Sequence, residues 1–364
     1  MSDGRLYIGT LEGDVRALNL ETGETECEFD LVGEPQQSRA IYGTPVIADG
    51  RVFVGGYDGI LYVLPVDCAP EWESDEEIVV GTGEPIVGSP AVVGDIVLVG
   101  SSDGGLYAFD IVVNESRAAL VKRWAAPFQT DNRVWSAPAV ADGVVYFGSM
   151  DHSVYAVNLD DGTPMWSEPF EAKGAISAGL AVVDGHVYFG AFDSVFYSIQ
   201  ASTGAVNWKF TGATGWFWGG AVVDENRVYA PSLDGNLYAL SRFDGTVEWS
   251  VETEGPIIGS PVIVGDRIAV PSEDGGVYLA KLVDGKVDSQ CRLGDKVKLR
   301  SSITAEDRTL FFLSSDHAIR SLEIEEFDQF WQLDEDRPAW ELFTNNEELG
   351  SGIWKTKCGV GTGP

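Results

Sequence analysis

Apolar and polar residues alternate along most of the chain, in short runs that are separated by tight turns. In residues 144–157, an apolar run ends at Gly148, a polar turn follows at Asp151, and a second alternating run continues to Val157. Alternation with a period of two turns one face of each run toward a core, which is typical of β-strands. The pattern therefore predicts an all-β protein.

One acidic turn residue recurs eight times, and successive copies are 40 to 48 residues apart. The eight turn acids are Glu12, Asp58, Asp103, Asp151, Asp193, Asp234, Asp274 and Asp316. Four short strands with their turns need about forty residues, and a fixed period of this size marks a repeat architecture. The sequence predicts one domain over residues 1–364, an eight-bladed β-propeller of four-stranded antiparallel blades.

Two features of the repeat have steric explanations. Small residues precede the first strand, as at 43–45, 88–90, 136–138 and 259–261, because the innermost strands of a propeller converge. Trp166, Trp208 and Trp249 each lie four residues after a turn glycine. A large flat side chain at a fixed outer position can fill the space between adjacent blades, so we expect these Trp residues to be structural.

Each end of the chain lacks strands of a repeat that the other end could supply. Residues 350–353 look like the first strand of another repeat, and residues 4–30 supply three strands with no first strand before them. We expect the C-terminal strand to pair with the N-terminal strands, so that residues 1–30 and 350–364 share a blade and no sheet edge is left open.

Residues 323–337 interrupt the repeat. The segment is acidic and places Phe327, Phe330 and Trp331 at helix-like spacing. It predicts one or two helical turns packed on the rim, or a projection that binds a partner.

The segment from Ala156 to Trp166 resembles the repeat of quinoprotein-type propellers, Ala-x-Asp-x-x-Thr-Gly-x-x-x-Trp. Residues 17–27, 198–208 and 239–249 fit the same pattern, and the resemblance covers essentially the whole chain. The Gly-His and Trp-Asp signatures of WD40 repeats are missing. Cys27 and Ser289 replace the Trp, and the units near 65–85 and 110–130 carry insertions.

The resemblance implies one of two functions. Quinoprotein dehydrogenases bind pyrroloquinoline quinone and calcium, whereas BamB-like propellers bind proteins and catalyse nothing. The adjacent cysteines that cover the quinone in many alcohol dehydrogenases are missing, and so is a haem-attachment CxxCH. We expect a non-enzymatic interaction scaffold with no catalytic residue, cofactor or metal. The alternatives are a quinoprotein alcohol or sugar dehydrogenase and a glycan- or peptide-binding propeller.

The charge balance is strongly acidic, with 57 Asp and Glu against 24 Lys and Arg and a formal net charge of −33. This composition is typical of a halophilic proteome, in which hydrated carboxylates keep proteins soluble in molar salt. Such a surface should repel nucleic acid and anionic membranes. We expect a monomer or a subunit of a complex.

No apolar run is long enough to span a membrane, and the chain as written begins on a strand with no leader. We expect it to be cytoplasmic, or extracytoplasmic if a leader was removed. The cysteines, Cys27, Cys68, Cys291 and Cys358, have no metal-ligand spacing. We expect scattered structural thiols, and a bond between Cys27 and Cys358 remains open.

Basic and aromatic residues recur in the links that lead into the first strand of each blade. They are Arg39, Arg133, Trp135, Lys173, Trp216, Phe217, Trp218, Lys298 and Arg300, with Tyr57 and Phe192 in turns of the same face. Arg and aromatic side chains anchor many interfaces. We hypothesise a central basic and aromatic patch that receives an acidic loop, a peptide or a small anion. In the alternative, these side chains pair with neighbouring carboxylates and pack between blades.

Overall fold

The computed structural model describes residues 1, 4–31, 40–67, 80–114, 117–293, 296–316, 318–324, 345–348 and 353–357. In these residues the regular secondary structure is all strand, with no helix, and the strands form eight sheets. The predicted class, an eight-bladed β-propeller with mostly four-stranded antiparallel blades, is confirmed. The chain divides into two compact units, Met1–Asp193 with Tyr197–Asn207, and Ser194–Phe196 with Trp208–Pro364.

The first four sheets belong to the first unit. Sheet 1 contains β1 (Arg5–Gly9), β2 (Asp14–Asn19) and β3 (Thr25–Asp30). Sheet 2 contains β4 (Val46–Ala48), β5 (Arg51–Gly55), β6 (Ile60–Pro65) and β7 (Val80–Gly81). Sheet 3 contains β8 (Ala91–Val93), β9 (Ile96–Gly100), β10 (Gly105–Asn114), β11 (Arg117–Lys122) and β12 (Phe128–Gln129). Sheet 4 contains β13 (Ala139–Ala141), β14 (Val144–Gly148), β15 (Ser153–Asn158) and β16 (Phe170–Glu171).

The remaining sheets follow in chain order. Sheet 5 contains β17 (Ala181–Val183), β18 (His186–Gly190), β19 (Phe196–Gln200) and β20 (Val206–Phe210). Sheet 6 contains β21 (Val222–Val223), β22 (Arg227–Pro231), β23 (Asn236–Ser241) and β24 (Val247–Glu252). Sheet 7 contains β25 (Val262–Val264), β26 (Arg267–Pro271), β27 (Gly276–Lys281) and β28 (Val287–Arg292). Sheet 8 contains β29 (Thr304–Glu306), β30 (Thr309–Leu313), β31 (Ile319–Glu323), β32 (Asn345–Glu348) and β33 (Ile353–Lys357).

The second strand of most sheets is buried on both faces. In β14, the four residues from Val145 to Gly148 are all buried, and β9 shows the same pattern. One cluster shows why, because Leu98 of sheet 3 packs with Val145 and Phe147 of sheet 4. A strand between two packed layers needs apolar residues in sequence instead of strict alternation.

An indole ring joins each of four sheets to the next one. The ring Nε1–H donates to a backbone carbonyl of the following sheet, and we call this contact the Trp clasp. The four donor–acceptor pairs are Trp124 to Leu159 at 3.0 Å, Trp166 to Ala201 at 2.9 Å, Trp208 to Arg242 at 2.9 Å and Trp249 to Leu282 at 3.2 Å. The structural role expected for Trp166, Trp208 and Trp249 is confirmed, whereas the insertion near 110–130 concealed Trp124.

The small residues before the first strands allow close approach between neighbouring links. A Cβ on Gly88 would lie 2.5 Å from the carbonyl oxygen of Trp135, and one on Gly259 would lie 2.0 Å from that of Ser301. The Ser260 N–H also donates to the Ser302 hydroxyl at 3.0 Å. The steric explanation for these small residues is therefore confirmed.

The expected pairing of the C-terminal strand with the N-terminal strands is wrong. β33 runs parallel to β31 and antiparallel to β32, and sheet 1 consists of β1, β2 and β3. The physical reason lies in sheet 8. Because the interruption of the repeat begins directly after β31, no repeat strand follows to pair with the outer edge of β31, and β33 pairs there. Residues 325–344 and 350–352 lie outside the described residues, and so does most of the predicted rim segment.

The cysteines also differ from expectation. Cys27 and Cys291 are disulfide-bonded, and no described cysteine is a free thiol. They lie on β3 and β28, the outer strands in which Cys27 and Ser289 take the place of the repeat Trp. Covalent cross-links thus occur on two strands that lack a Trp clasp. Cys68 and Cys358 lie outside the described residues, so the pairing of Cys27 with Cys358 stays open.

The Trp clasp predicts an uneven tolerance of turn glycines to substitution. Gly245 has a φ of +71°, and a Cβ there would lie 2.5 Å from the Trp208 ring. We expect Gly245→Ala to lower the free energy of unfolding by about 2–4 kcal/mol, through left-handed strain and overpacking.

Gly265 is the matched control, because its φ is +60° and a Cβ there would meet nothing within 4 Å. We expect Gly265→Ala to cost only about 1–2 kcal/mol, from backbone strain alone. Urea unfolding of both variants measures the difference, and equal losses would contradict the clasp.

Candidate functional site

The links into the first strands lie beside the turns between the second and third strands, as expected. In each case a turn residue donates its backbone N–H to a link carbonyl. The pairs include Tyr57 to Ala40 at 3.0 Å, Met150 to Arg133 at 2.9 Å, Phe192 to Ala175 at 3.0 Å, Leu233 to Trp216 at 2.8 Å and Ser315 to Lys298 at 2.9 Å. Links and turns therefore form one face at each of these sheets.

The turn acids are structural. Asp151 accepts the Ser153 N–H through Oδ1 at 2.9 Å, and its Oδ2 accepts the Tyr155 hydroxyl at 2.7 Å and the Asp131 N–H at 3.1 Å. Asp193, Asp234 and Asp274 likewise accept a Tyr hydroxyl from four residues on and an N–H from twenty residues back. These carboxylates tie the turn to the exit of the preceding strand.

Burial and the bond to the carboxylate hold these tyrosines in the neutral form. Burial is the main cause that raises the pKa of Tyr155, and the hydrogen bond to Asp151 adds to it. The same two causes raise the pKa of Tyr278 to about 12. Sequence reasoning missed this pairing, although a Tyr four residues after the turn acid is visible in six of the repeats.

In the first unit, the candidate surface contains Tyr42, Tyr57, Arg133, Trp135 and Lys173, which we call the first link surface. Tyr42 is 59% exposed and Tyr57 is 42% exposed, and their ring centroids are 5.5 Å apart. Tyr42 was not among the predicted residues, although it occupies the link position that Trp135 occupies two sheets later.

Arg133 and Trp135 form a cation–π pair on this surface. The guanidinium carbon lies 5.6 Å from the centre of the Trp135 ring, and the indole N–H donates to the Ser102 hydroxyl at 3.0 Å. Ser102 belongs to the turn of the preceding sheet, so the ring is fixed across two sheets. Lys173 is exposed, and its backbone N–H donates to Asp193 at 3.0 Å.

In the second unit, the candidate surface contains Trp216, Trp218, Lys298 and Arg300, which we call the second link surface. Trp216 is 49% exposed and Trp218 is 41% exposed. Phe217 between them is fully buried and packs edge-on against Phe196, with ring centroids 5.4 Å apart. The expectation that Phe217 faces a partner is wrong, because alternate side chains of this extended link point in opposite directions.

The two cations of the second link surface meet a carboxylate of their own chain. Arg300 Nε lies 2.5 Å from Glu273 Oε1, and Lys298 Nζ lies 3.7 Å from Glu273 Oε2. For these two residues the structure favours the alternative interpretation, pairing with a neighbouring acid. Arg39 lies outside the described residues.

In the part of the chain that the structure describes, no group of three or more His, Cys, Asp or Glu is arranged to hold a metal ion. Within the same residues, no helix has the length and apolar character needed to cross a membrane.

Comparison with known proteins gives a family and many similar structures, including the two below. A family model described as outer membrane protein assembly factor BamB matches residues 1–149, 122–209, 150–296 and 191–352. The search of curated proteins found no match.

The first of the two structures is the computationally designed Ika8 protein, with 19% identity, a TM-score of 0.74, and coverage of 89% of this chain and 94% of that chain. The second is BamB from Moraxella catarrhalis, with 21% identity, a TM-score of 0.68, and coverage of 87% and 90%. Identities this low show the fold alone.

The raised tyrosine pKa values predict a loss of stability in alkali. A tyrosine whose pKa is raised by folding stabilises the protein fully below pH 10, and this contribution is lost as pH rises toward the folded value. For Tyr278 the loss at pH 11 should reach about 1 kcal/mol. Urea unfolding between pH 8 and pH 11.5 measures the total loss in the free energy of unfolding.

The variant Tyr278→Phe tests the contribution of the Tyr278–Asp274 pair alone. It should cost about 1 kcal/mol at pH 8, through the lost bond to Asp274, and should lose less stability than the parent between pH 10 and pH 11.5. Tyr42→Phe, at an exposed ring, is the control and should follow the parent curve. An alkaline loss in Tyr278→Phe as large as that of the parent would contradict the assignment.

Proposed function

Since the chain belongs to the family of the outer membrane protein assembly factor BamB, we propose that it is a non-enzymatic scaffold that binds other proteins through its link surfaces. The family match covers nearly the whole chain, and it agrees with the resemblance seen in the repeat. An assembly factor acts by holding proteins, which requires surfaces for contact and no reacting group.

The observation that carries the proposal is the exposure of Trp216 and Trp218. Trp124, Trp166 and Trp208 are buried, and each donates its indole N–H to a neighbouring sheet. The repeat therefore explains those three and leaves the two exposed ones without a role in the clasp. Trp is the side chain that most often dominates binding at an interface, so a pair of exposed Trp residues supports a docking surface.

The turn acids support the non-enzymatic part of the proposal. A general acid or base needs a carboxylate that is available to a substrate. Asp151, Asp234 and Asp274 each use both carboxylate oxygens within the fold, and Asp193 accepts two hydrogen bonds through Oδ2. Acids that recur in this way serve the repeat and not a reaction.

The test is partner capture by the variant Trp216→Ala/Trp218→Ala. Immobilised parent and variant are cross-linked in extract of the source organism, and the captured proteins are quantified by mass spectrometry. We expect the captured amount of the specific partners to fall at least about tenfold in the variant, because hot-spot Trp residues contribute about 2 kcal/mol or more each to binding.

Phe243→Ala is the matched control, since this ring is 82% exposed in the hairpin between β23 and β24, at the other end of the strands. It should capture the same proteins as the parent. Equal capture by the double variant and the parent, with unchanged unfolding curves, would contradict the proposal. Dye-linked oxidation of alcohols or sugars after addition of pyrroloquinoline quinone and calcium would contradict its non-enzymatic part.

A further inference from the structure

Ion pairing separates Arg133 from most other arginines of the chain. Among the described residues, eight arginines form ion pairs with Asp or Glu: Arg5, Arg16, Arg123, Arg227, Arg267, Arg292, Arg300 and Arg320. Arg133 appears in no ion pair of the described residues, in a chain that holds 57 acidic residues. It is exposed, so the missing carboxylate is not a consequence of burial.

The carboxylate of the turn acid beside this link, Asp151, is committed elsewhere. The Asp151 carboxylate accepts the Ser153 N–H, the Tyr155 hydroxyl and the Asp131 N–H. These bonds hold the Asp151 carboxylate within its own turn. The carboxylate next to Met150 is therefore engaged, although the Met150 N–H itself donates to the Arg133 carbonyl.

The backbone of Arg133 is fixed before any partner arrives. Its carbonyl accepts the Met150 N–H at 2.9 Å and the Ser149 hydroxyl at 3.2 Å. Its own N–H donates to the Asn132 side-chain oxygen at 2.9 Å. A ligand that binds here orders little of the main chain, which lowers the entropic cost of association.

The side chain lies over an aromatic ring, with the guanidinium carbon 5.6 Å from the centre of the Trp135 ring. A cation–π contact uses none of the five N–H donors of a guanidinium, which lie in the plane of the group. The supporting ring of Trp135 is itself fixed by its bond to Ser102. The planar fork of donors on this supported guanidinium matches the two oxygens of a carboxylate.

We propose that Arg133, supported by Trp135, is the receptor for a carboxylate in an acidic segment of the partner protein. The inference rests on the proposed scaffold function and names the chemistry of its partner. Charge complementarity favours this occupant, because the rest of a chain of net charge −33 repels acidic segments and this position attracts them. Arg300 and Lys298 are less suited to this role, since both already pair with Glu273 of their own chain.

The test is a selection from a random dodecamer display library on the full chain. Parent protein should enrich Asp and Glu at least about twofold over the starting library, against its own negative charge. Arg133→Met should lose this enrichment, and Arg51→Met, a control in the hairpin between β4 and β5 and off the link surfaces, should keep it. Unchanged acidic enrichment with Arg133→Met, or none with the parent, would overturn the proposal.

Binding of one selected peptide then tests the fork geometry. Fluorescence anisotropy compares the acidic peptide with its Asn and Gln counterpart, and we expect the acidic form to bind the parent about tenfold tighter. Arg133→Lys should not restore the difference, because an ammonium cannot form the paired bonds. If Arg133→Lys fully restores the tenfold preference for the acidic peptide, paired bonds from Arg133 are excluded. If the parent selects no acidic peptides but free citrate competes for binding, the ligand is a small anion and the proposal is overturned.

The two proposals fail separately. If Trp216→Ala/Trp218→Ala loses its partners in cross-linked extract while Arg133→Met keeps them and selects no acidic peptides, the scaffold function stands and the acidic-segment inference fails.

Discussion

Each Trp clasp places an indole ring on the turn glycine of the following sheet, and the fold within each unit depends on this contact. Gly162, Gly204, Gly245 and Gly285 all have positive φ, and a Cβ on any of them would lie within about 3 Å of the ring. The glycine therefore serves two purposes, the turn and the approach of the ring. The indole N–H then satisfies a carbonyl of the neighbouring sheet, so apolar burial and hydrogen bonding act at the same point.

The regularity of the repeat also shows which residues it does not need. Turn acids, their tyrosine partners, link glycines and four Trp residues all have a partner that recurs from sheet to sheet. Trp216, Trp218 and Arg133 lie instead at link positions where the residue type varies from repeat to repeat. Their side chains lie on links whose backbones are already held by turn N–H groups, which is the way rigid scaffolds present binding residues.

The eightfold repeat, the small link residues and the inter-sheet role of Trp166 could be predicted because each is visible at a fixed spacing in one dimension. The salt bridge between Arg300 and Glu273 could not, since the partners are 27 residues apart and meet only when two repeats stack. The burial of Phe217 between two exposed Trp residues required the orientation of the link. The pairing of β33 depended on which sheet edge the interrupted repeat leaves open, and the disulfides of Cys27 and Cys291 depended on distances that no spacing reveals.

Hydrogen–deuterium exchange on the chain with a captured partner tests the central claim most directly, because it locates contact without altering a residue. We predict slower exchange in the complex at residues 132–136 and 214–219, the links that carry Arg133, Trp135, Trp216 and Trp218. The hairpins at residues 241–245 and 281–285, at the other ends of the strands, should exchange as in the free chain. Protection at those hairpins with unchanged links would contradict the account.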